Sequence, residues 1–535
     1  MQNNNYNEYQ TTYTDINECT SRGACSISPT ISSLQELAML FLKQLAHYIL
    51  QLEELGASNK NIKYEIITAL ASLVSINEFS ENQLYSIVMK EYYLLEDTKK
   101  TYKILCNKEN LISRELKPVQ KFNTTTTISE AIALGEKIFL KKYKRRSREE
   151  KNLIEILQII IKSVSLNMIK LNDFNEFDEE IYHQILETLN TFNNKNITCD
   201  EILTKISKLA EMDHKLQLRI SEVLLKSFNG INKIKVSHST QKGKAILVSG
   251  NNFFDLLDVL NATKDKNIDI YTHSNLLITH ALKKFQEYKH LKGHYGDTTE
   301  NCILDFATFP GSILLTKNSR NNTEYLYRGR LFSNDYIVPD GVIKIENNDY
   351  STLINTAVIS KGFSKGKTKA ETNLGYNEEE INSKFEEIIT KLNNNEIEKL
   401  YIIGIDAHLI AQKEYFNEMF ENLKQNEFVI SFGYESNKSN IMTINTGNYI
   451  PLVSNILKKL FAKYPISSEK ITFFFTTCDV MTISSIVTLK DNNAKNIYMA
   501  KCPPTLVNPS VYETLIKKYN IHTTSSADKD LQKIR

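Results

Sequence analysis

The sequence predicts a multidomain chain of mixed class: an N-terminal helical domain followed by two Rossmann-like, doubly wound α/β domains built on parallel sheets. Three observations predict it. Apolar residues recur at spacings of three and four from Ser32 to about Asn229, with proline only at Pro118. From Lys242 onward, short apolar β-rich runs alternate with helical stretches. The length of 535 residues gives room for about three to five domains with cores of their own.

In the first region, Leu34, Leu37, Leu40, Phe41 and Leu45, and again Ile154, Leu157, Ile160, Ile161 and Val164, draw one apolar stripe along a helix. The run Leu34-Gln35-Glu36-Leu37 to Lys43 is echoed at the same offsets by Leu153-Ile154-Glu155-Ile156 to Lys162, a weak internal repeat that points to two related bundles. Further on, strands are expected at 245–249, 268–271, 313–316, 400–403, 428–431, 471–475 and 496–499, with helices such as 378–392 and 449–461 between them. Fully apolar strands alternating with helices are covered on both faces, which is the parallel-sheet arrangement. The Ser/Lys/Gly-rich stretch 360–369 is the expected boundary inside this half. The domains read as 1–30 (N-terminal segment), 31–238 (helical bundles), 239–366 and 367–535 (the two α/β domains).

Parallel sheets bind ligands beyond the carboxyl ends of their strands. The loops to watch are therefore Gly250-Asn251-Asn252, His273-Ser274-Asn275, Lys317-Asn318-Ser319, Gly404-Ile405-Asp406, Gly433-Tyr434 and Thr477-Cys478-Asp479. None carries a G-x-G-x-x-G or Walker pattern, so no nucleotide site is expected. A net charge of +2 with 24% charged residues gives no reason to bind nucleic acid. Met1 to Gln10 lacks a basic start and apolar run, and no stretch of roughly 18 apolar residues stands out, so a cytoplasmic chain without a membrane span is expected. Seven scattered cysteines favour reduced thiols over a disulfide framework.

Four constellations invite chemistry. His273, His280, His290 and His294 lie in one segment, but their spacing fits no helical zinc pair, and helix caps or bonds to buried carbonyls are the expectation. Cys19 and Cys25 could be half of a metal site; with no other Cys nearby, two free thiols are expected, a reversible bond between them staying open. The basic run from Lys141 to Arg148 leads straight into Glu149 and Glu150 and reads as a solvated loop at a helix start rather than a phosphate patch. Cys478 beside Asp479 has no base near it in sequence and reads as a structural thiol.

Val248-Ser249-Gly250, Tyr271-Thr272-His273, the run Phe306-Ala307-Thr308-Phe309-Pro310-Gly311-Ser312-Ile313-Leu314, Gly362-Phe363 and Tyr401-Ile402-Ile403-Gly404 resemble the hybrid-cluster (prismane) protein family, the hydroxylamine reductases. The likeness extends to Gly23-Ala24-Cys25 and to Lys495-Asn496-Ile497 with Pro503-Pro504, covering nearly the whole chain in order. It implies two three-helix bundles followed by two Rossmann-like domains, a cubane iron–sulfur cluster near the N-terminus, and an iron–sulfur–oxygen hybrid cluster that reduces hydroxylamine and nitric oxide.

Carried over position by position, the resemblance also shows what this chain lacks. Of the cubane's four Cys only Cys19 and Cys25 stand; Tyr6 and Tyr9 occupy the other two positions. Of the hybrid-cluster ligands, the His falls at Asn251, the first Glu at Asn275, successive Cys at Ser319, Ile405, Phe432 and Gly447, and the last Glu at Asp479. The family Lys after that Glu is matched by Met481. Soft clusters need thiolates to offset the iron charge, and these replacements do not supply it. The sequence-based expectation is a chain with no catalytic residues, no metal and no cluster cofactor, serving as a binding, regulatory or scaffolding protein for a small polar ligand or a protein partner. Two alternatives stand beside it. One is a reductase with a remodelled metal site on Asp479, Ser319 and nearby His or Cys; the other is a polar-ligand pocket formed by Asn251, Asn275, Asp406 and Asp479.

Overall fold

Helices start where a side chain can accept from the first unpaired N–H groups, and this chain places such side chains regularly. In the computed structural model, which describes residues 28–57, 60–74, 80–117, 122–141, 146–194, 196–296, 302–317, 319, 329–335, 338, 341–406, 412–477, 479–500 and 509–535, Ser28 caps α1 (Pro29–Glu54) by accepting from the Ile31 N–H. Ser80 with Gln83 and Ser147 with Glu150 form reciprocal capping boxes at α3 (Glu81–Lys108) and α5 (Arg148–Asn172). Tyr6, Tyr9, Cys19, Cys25, Cys478 and residues 142–145 of the basic run lie outside the described residues.

One compact unit holds the chain up to Leu216 together with 478–492 and 501–523. In it α1 packs against α3, α4 (Ile128–Lys141) and α6 (Glu179–Thr191), with Leu34, Leu37, Ala38, Phe41, Leu42 and Leu45 turned inward. Helix α5 packs against α2 (Lys60–Ser72), α14 (Val480–Asp491) and α15 (Pro509–Lys518). The two segments that echo each other in sequence thus fall on α1 and α5, both core helices. Helix α5 also corrects the hydropathy reading, since it is long and apolar enough to cross a membrane, yet 83% of its most apolar window is buried inside the protein. Among the described part of the basic run, Arg148 pairs with Glu513 at 3.1 Å on the surface.

The second unit comprises 217–477, 493–500 and 524–535. Its first sheet is parallel throughout, in the order β4 (Leu291–His294), β3 (Ile268–His273), β2 (Lys244–Ser249), β5 (Ser312–Leu315), β6 (Leu331–Ser333), β7 (Ile343–Lys344). The second sheet runs β11 (Ile441–Thr443), β10 (Glu427–Ser431), β9 (Lys399–Ile403), β12 (Ile471–Phe475), β13 (Asn496–Met499), again parallel. Every strand expected from the apolar runs is present. The sequence reading omits the four-residue β4, the two- or three-residue strands β6, β7, β11 and β14 (His522–Thr523), and the antiparallel pair β1 (Ile234–Ser237) with β8 (Glu371–Leu374). The stretch 360–369, read as a boundary, is bonded back to the chain ahead of β2, with Phe363 bridging Gly243 and Lys367 bridging Thr240.

The C-terminal helix α16 (Ala527–Ile534) is pinned beneath the second sheet by charge. Arg535 donates to both oxygens of Glu427, at 2.7 and 2.9 Å, and Tyr401 adds a hydroxyl at 3.2 Å. Burial pushes the Glu427 carboxyl up, but Arg535 and the Lys424 N–H together hold it below its ordinary value. Removing one member of such a pair strands a buried charge. Arg535→Met is expected to destabilise this unit by about 3 kcal/mol, read as a lower urea midpoint; an unchanged midpoint would show the pair to be idle.

Candidate functional site

In each sheet the chain changes direction between two central strands, and the crevice at that point is where doubly wound folds take their ligands. In the first sheet the change falls between β2 and β5. Ser249 ends β2, and Gly250 follows at φ +136, where an added Cβ would come within 2.2 Å of both the Ser319 and Thr316 hydroxyls. That close approach aims the next two backbone N–H groups at those hydroxyls. Asn251 N–H donates to Thr316 Oγ1 and Ser319 Oγ, each at 3.0 Å, and Asn252 N–H donates to Thr316 Oγ1 at 3.2 Å. Asn252 then caps α8 (Phe253–Thr263). The Asn251 amide donates to Ser319 Oγ at 3.4 Å, and the Asn275 amide donates to Asn251 Oδ1 at 2.6 Å. The three candidates Asn251, Asn275 and Ser319 therefore do come together, as one neutral network whose members satisfy one another.

Beneath this network lies Asp255, buried in the first turn of α8. It accepts from the Lys317 N–H at 2.7 Å and from the Asn334 amide at 2.8 Å. Burial raises its carboxyl above the ordinary range despite those donors and the nearby Lys317 ammonium. Sequence reasoning missed Thr316 and Asp255; their signal was only their place in the first positions after β5 and after the Asn252 cap.

In the second sheet the change falls between β9 and β12, and an acid fills it. Asp406 takes the N–H groups of Thr476 and Thr477 at 2.9 and 2.6 Å and their hydroxyls at 3.1 and 2.7 Å. It is a clamp between two strand ends, which removes it from the polar-ligand pocket read in sequence. Beside it Ile405 and Phe432 are buried as core side chains. Gly404 at φ +72 lies so close to the Phe432 carbonyl that a Cβ would sit 2.3 Å from its oxygen. Gly447, at φ +60, packs on Ile278, with only 3.0 Å between a built Cβ and the Ile278 nitrogen.

Asp479 belongs to the helical unit. It caps α14 by accepting from the Thr482 N–H at 2.8 Å. The sequence reading has Met481 removing a cation from this place; the structure returns one from another helix, since Lys170 of α5 donates to Met481 Sδ at 3.5 Å. Burial pulls the Lys170 amine down, while Asp213, Asp479 and Asp173 pull it back up.

The histidines divide between two roles. His290 takes the expected one, bonding the Leu260 carbonyl and Thr263 hydroxyl at the end of α8. The others bond hydroxyls, with His280 and His294 sharing Thr272 Oγ1 at 2.8 and 2.9 Å, and His280 also takes the expected bond to backbone, at Gly293. His273 sits between Ser249 Oγ at 2.8 Å and Asp305 Oδ2 at 3.3 Å. This string has the composition of a hydrolytic triad, but Ser249 is buried and the Asn251 and Asn252 N–H groups are taken up by the Thr316 and Ser319 hydroxyls rather than aimed at a reacting oxygen.

Among the described residues no three His, Cys, Asp or Glu side chains are grouped to hold a metal ion. At the described positions where the resemblance expects cluster ligands, the donor set is two amides, a hydroxyl, two apolar side chains, a glycine and a helix-capping acid. That set does not fit an iron–sulfur or hybrid cluster, which needs several anionic soft ligands.

Burial, followed by the neighbouring His238, pulls His280 down to about 4. The unfolded chain then takes up a proton that the folded chain refuses, and stability falls as pH drops from about 6.5 toward 4. His280→Gln is expected to flatten that acid limb, losing about 2–3 kcal/mol of pH dependence; an acid limb as steep as in the parent would refute the assignment. Asp406→Ala leaves four donors at the second switch point without their acceptor and is expected to cost about 3 kcal/mol, measured by thermal unfolding, with Asp406→Asn intermediate.

With this geometry in view, relatives can be compared. The model of the Prismane/CO dehydrogenase family matches residues 14–456. A hydroxylamine reductase of Syntrophobacter fumaroxidans (strain DSM 10017 / MPOB) is 24% identical, covering 96% of this chain and 97% of that protein. One from Thermodesulfovibrio yellowstonii (strain ATCC 51303 / DSM 11347 / YP87) is also 24% identical, covering 97% and 98%. Among solved structures, a carbon monoxide dehydrogenase from Thermococcus sp. AM4 aligns over 94% of this chain and 84% of that one, at 9% identity and a TM-score of 0.47. The family match spans most of the sequence and the relatives align almost end to end: this chain belongs to the Prismane/CO dehydrogenase family.

Proposed function

We propose that this chain keeps the hybrid-cluster architecture without its clusters and without hydroxylamine or nitric oxide reductase activity, and that it acts as a binding or regulatory scaffold. One observation carries the reading: the side chains at the two switch points bond one another. Asn251, Asn275, Ser319 and Thr316 fill the first, and Asp406 with Thr476 and Thr477 fills the second. A ligand-holding loop ordinarily leaves donors or acceptors pointing at the ligand. Here the buried Ile405 and Phe432 contribute apolar burial of about 1.5–3 kcal/mol each where thiolates would have bonded iron.

The runner-up, a remodelled mononuclear site on Asp479 and Ser319, has less support. Asp479 is engaged as a helix cap and Ser319 as the acceptor for Asn251. A protein partner suits the scaffold better than a small molecule does, because the polar side chains at the two switch points bond one another.

Anaerobic purification after iron-rich expression tests the proposal. Iron well below one atom per chain, and no turnover of hydroxylamine with a reduced dye, are the expected results. Stoichiometric multi-iron content with a paramagnetic cluster signal would overturn the reading, and turnover lost in Asp479→Ala would establish the runner-up.

A further inference from the structure

Helix α3 breaks its own pattern. Leu84, Val88, Leu95, Thr98 and Tyr102 form its buried stripe, and Glu91 stands among them at 2% exposure. Neither carboxyl oxygen has a hydrogen-bond partner among the described residues. On the other side of the same helix, roughly 200° and 220° round from Glu91 at 100° per residue, Tyr93 and Ile104 are 52% and 57% exposed. An acid faces in and two large apolar side chains face out, so this helix is seated less firmly than its length suggests.

The surroundings offer the acid no relief. Helix α3 packs against α1, α4 and α2. Where α1 meets it, Phe41 lies with its ring 5.8 Å from that of Tyr92, and Phe122 closes on both. Several charged and titratable groups on these elements are engaged elsewhere. Lys43 of α1 lies over the Phe192 ring, and His47 bonds the Arg114 carbonyl and Asn190. Glu130 of α4 accepts from Thr127, and Glu65 of α2 holds Lys90. On α3 itself, Tyr85 donates to the Thr126 carbonyl and Tyr102 to Gln51. Lys90, the adjacent residue, is the cation whose field reaches the Glu91 carboxyl.

We propose that Glu91 is a proton-held latch: while its carboxyl is neutral α3 stays seated on α1 and α4, and loss of that proton to solvent unseats the helix. A neutral carboxyl is tolerable in an apolar stripe, whereas an ionised one without a partner costs several kcal/mol and draws in water or drives the helix out. Burial accordingly raises this carboxyl well above the usual glutamate range, with Lys90 pulling weakly the other way. The folded bundle holds a proton that the open bundle releases. The seat is therefore firmest at and below about pH 4.5 and weakens as pH rises toward the folded value.

Hydrogen exchange of the full-length chain between pH 5 and 8, corrected for intrinsic rates, tests this. In the parent protein the opening constant of α3 amides should climb with pH by up to about tenfold per unit, while amides of β9 in the second unit show no such climb. Glu91→Gln should remove the slope and protect α3 at pH 8. Glu91→Leu, an apolar replacement of similar length, gives a second route to the same reading should the amide variant fold poorly. A parent profile flat in pH, or a slope that survives in either folded variant, would overturn the latch.

Discussion

A backbone N–H just beyond a strand end needs an acceptor, and at both switch points of this chain the acceptor comes from within. Thr316 and Ser319 hydroxyls serve the start of α8, and the Asp406 carboxylate serves Thr476 and Thr477. Such positions are the natural place for a ligand because strand ends and helix starts converge there with partial positive charge. Internal acceptors close them. Gly250 and Gly404 permit the closure, since each lets a backbone pass where a β-carbon would collide.

This closure ties the chemistry of the site to the packing around it. Neutral amides and hydroxyls bond at short range without a compensating charge, so they can be buried at little cost once mutually satisfied. Thiolates and carboxylates at the same places would need a cation to be stable there. Losing a cluster while keeping its anionic ligands would leave repelling charge in the crevice. On the proposed reading, Asn251, Asn275, Ser319, Ile405 and Phe432 avoid that repulsion; Gly447 lies with its backbone against Ile278. Near Asp479 a positive charge comes from Lys170 of α5, which also feels Asp213 and Asp173.

Buried titratable groups elsewhere follow the same rule with different outcomes. Glu427 meets Arg535 and stays ionised. Asp213 is held by Ser163 and Asn167 at 2.6 and 2.7 Å, and burial still raises it. Glu91 has no hydrogen-bond partner among the described residues. The contrast among these three acids, each at 2% exposure or less, is set by the partners that tertiary packing delivers.

Much of the architecture was legible in the sequence because period and burial coincide there. The stripes at Leu34 to Leu45 and Ile154 to Val164 mark core helices, and apolar runs such as 471–475 mark strands buried on both faces. Strands of two to four residues carry little period to read, so β1, β4, β6, β7, β8, β11 and β14 escaped notice, and the apolarity of α5, long and apolar enough to cross a membrane, went unremarked. The family resemblance, read from the sequence, agrees with the family match over residues 14–456. Tertiary structure alone decided what the replacements do: that Asn251, Asn275 and Ser319 form one network, that Asp406 clamps a neighbouring strand end, and that Lys170 reaches Met481. Those outcomes depend on hydrogen bonds between residues tens to hundreds of positions apart, whose directions are fixed only when strands and helices are packed, and no local pattern of side chains encodes them.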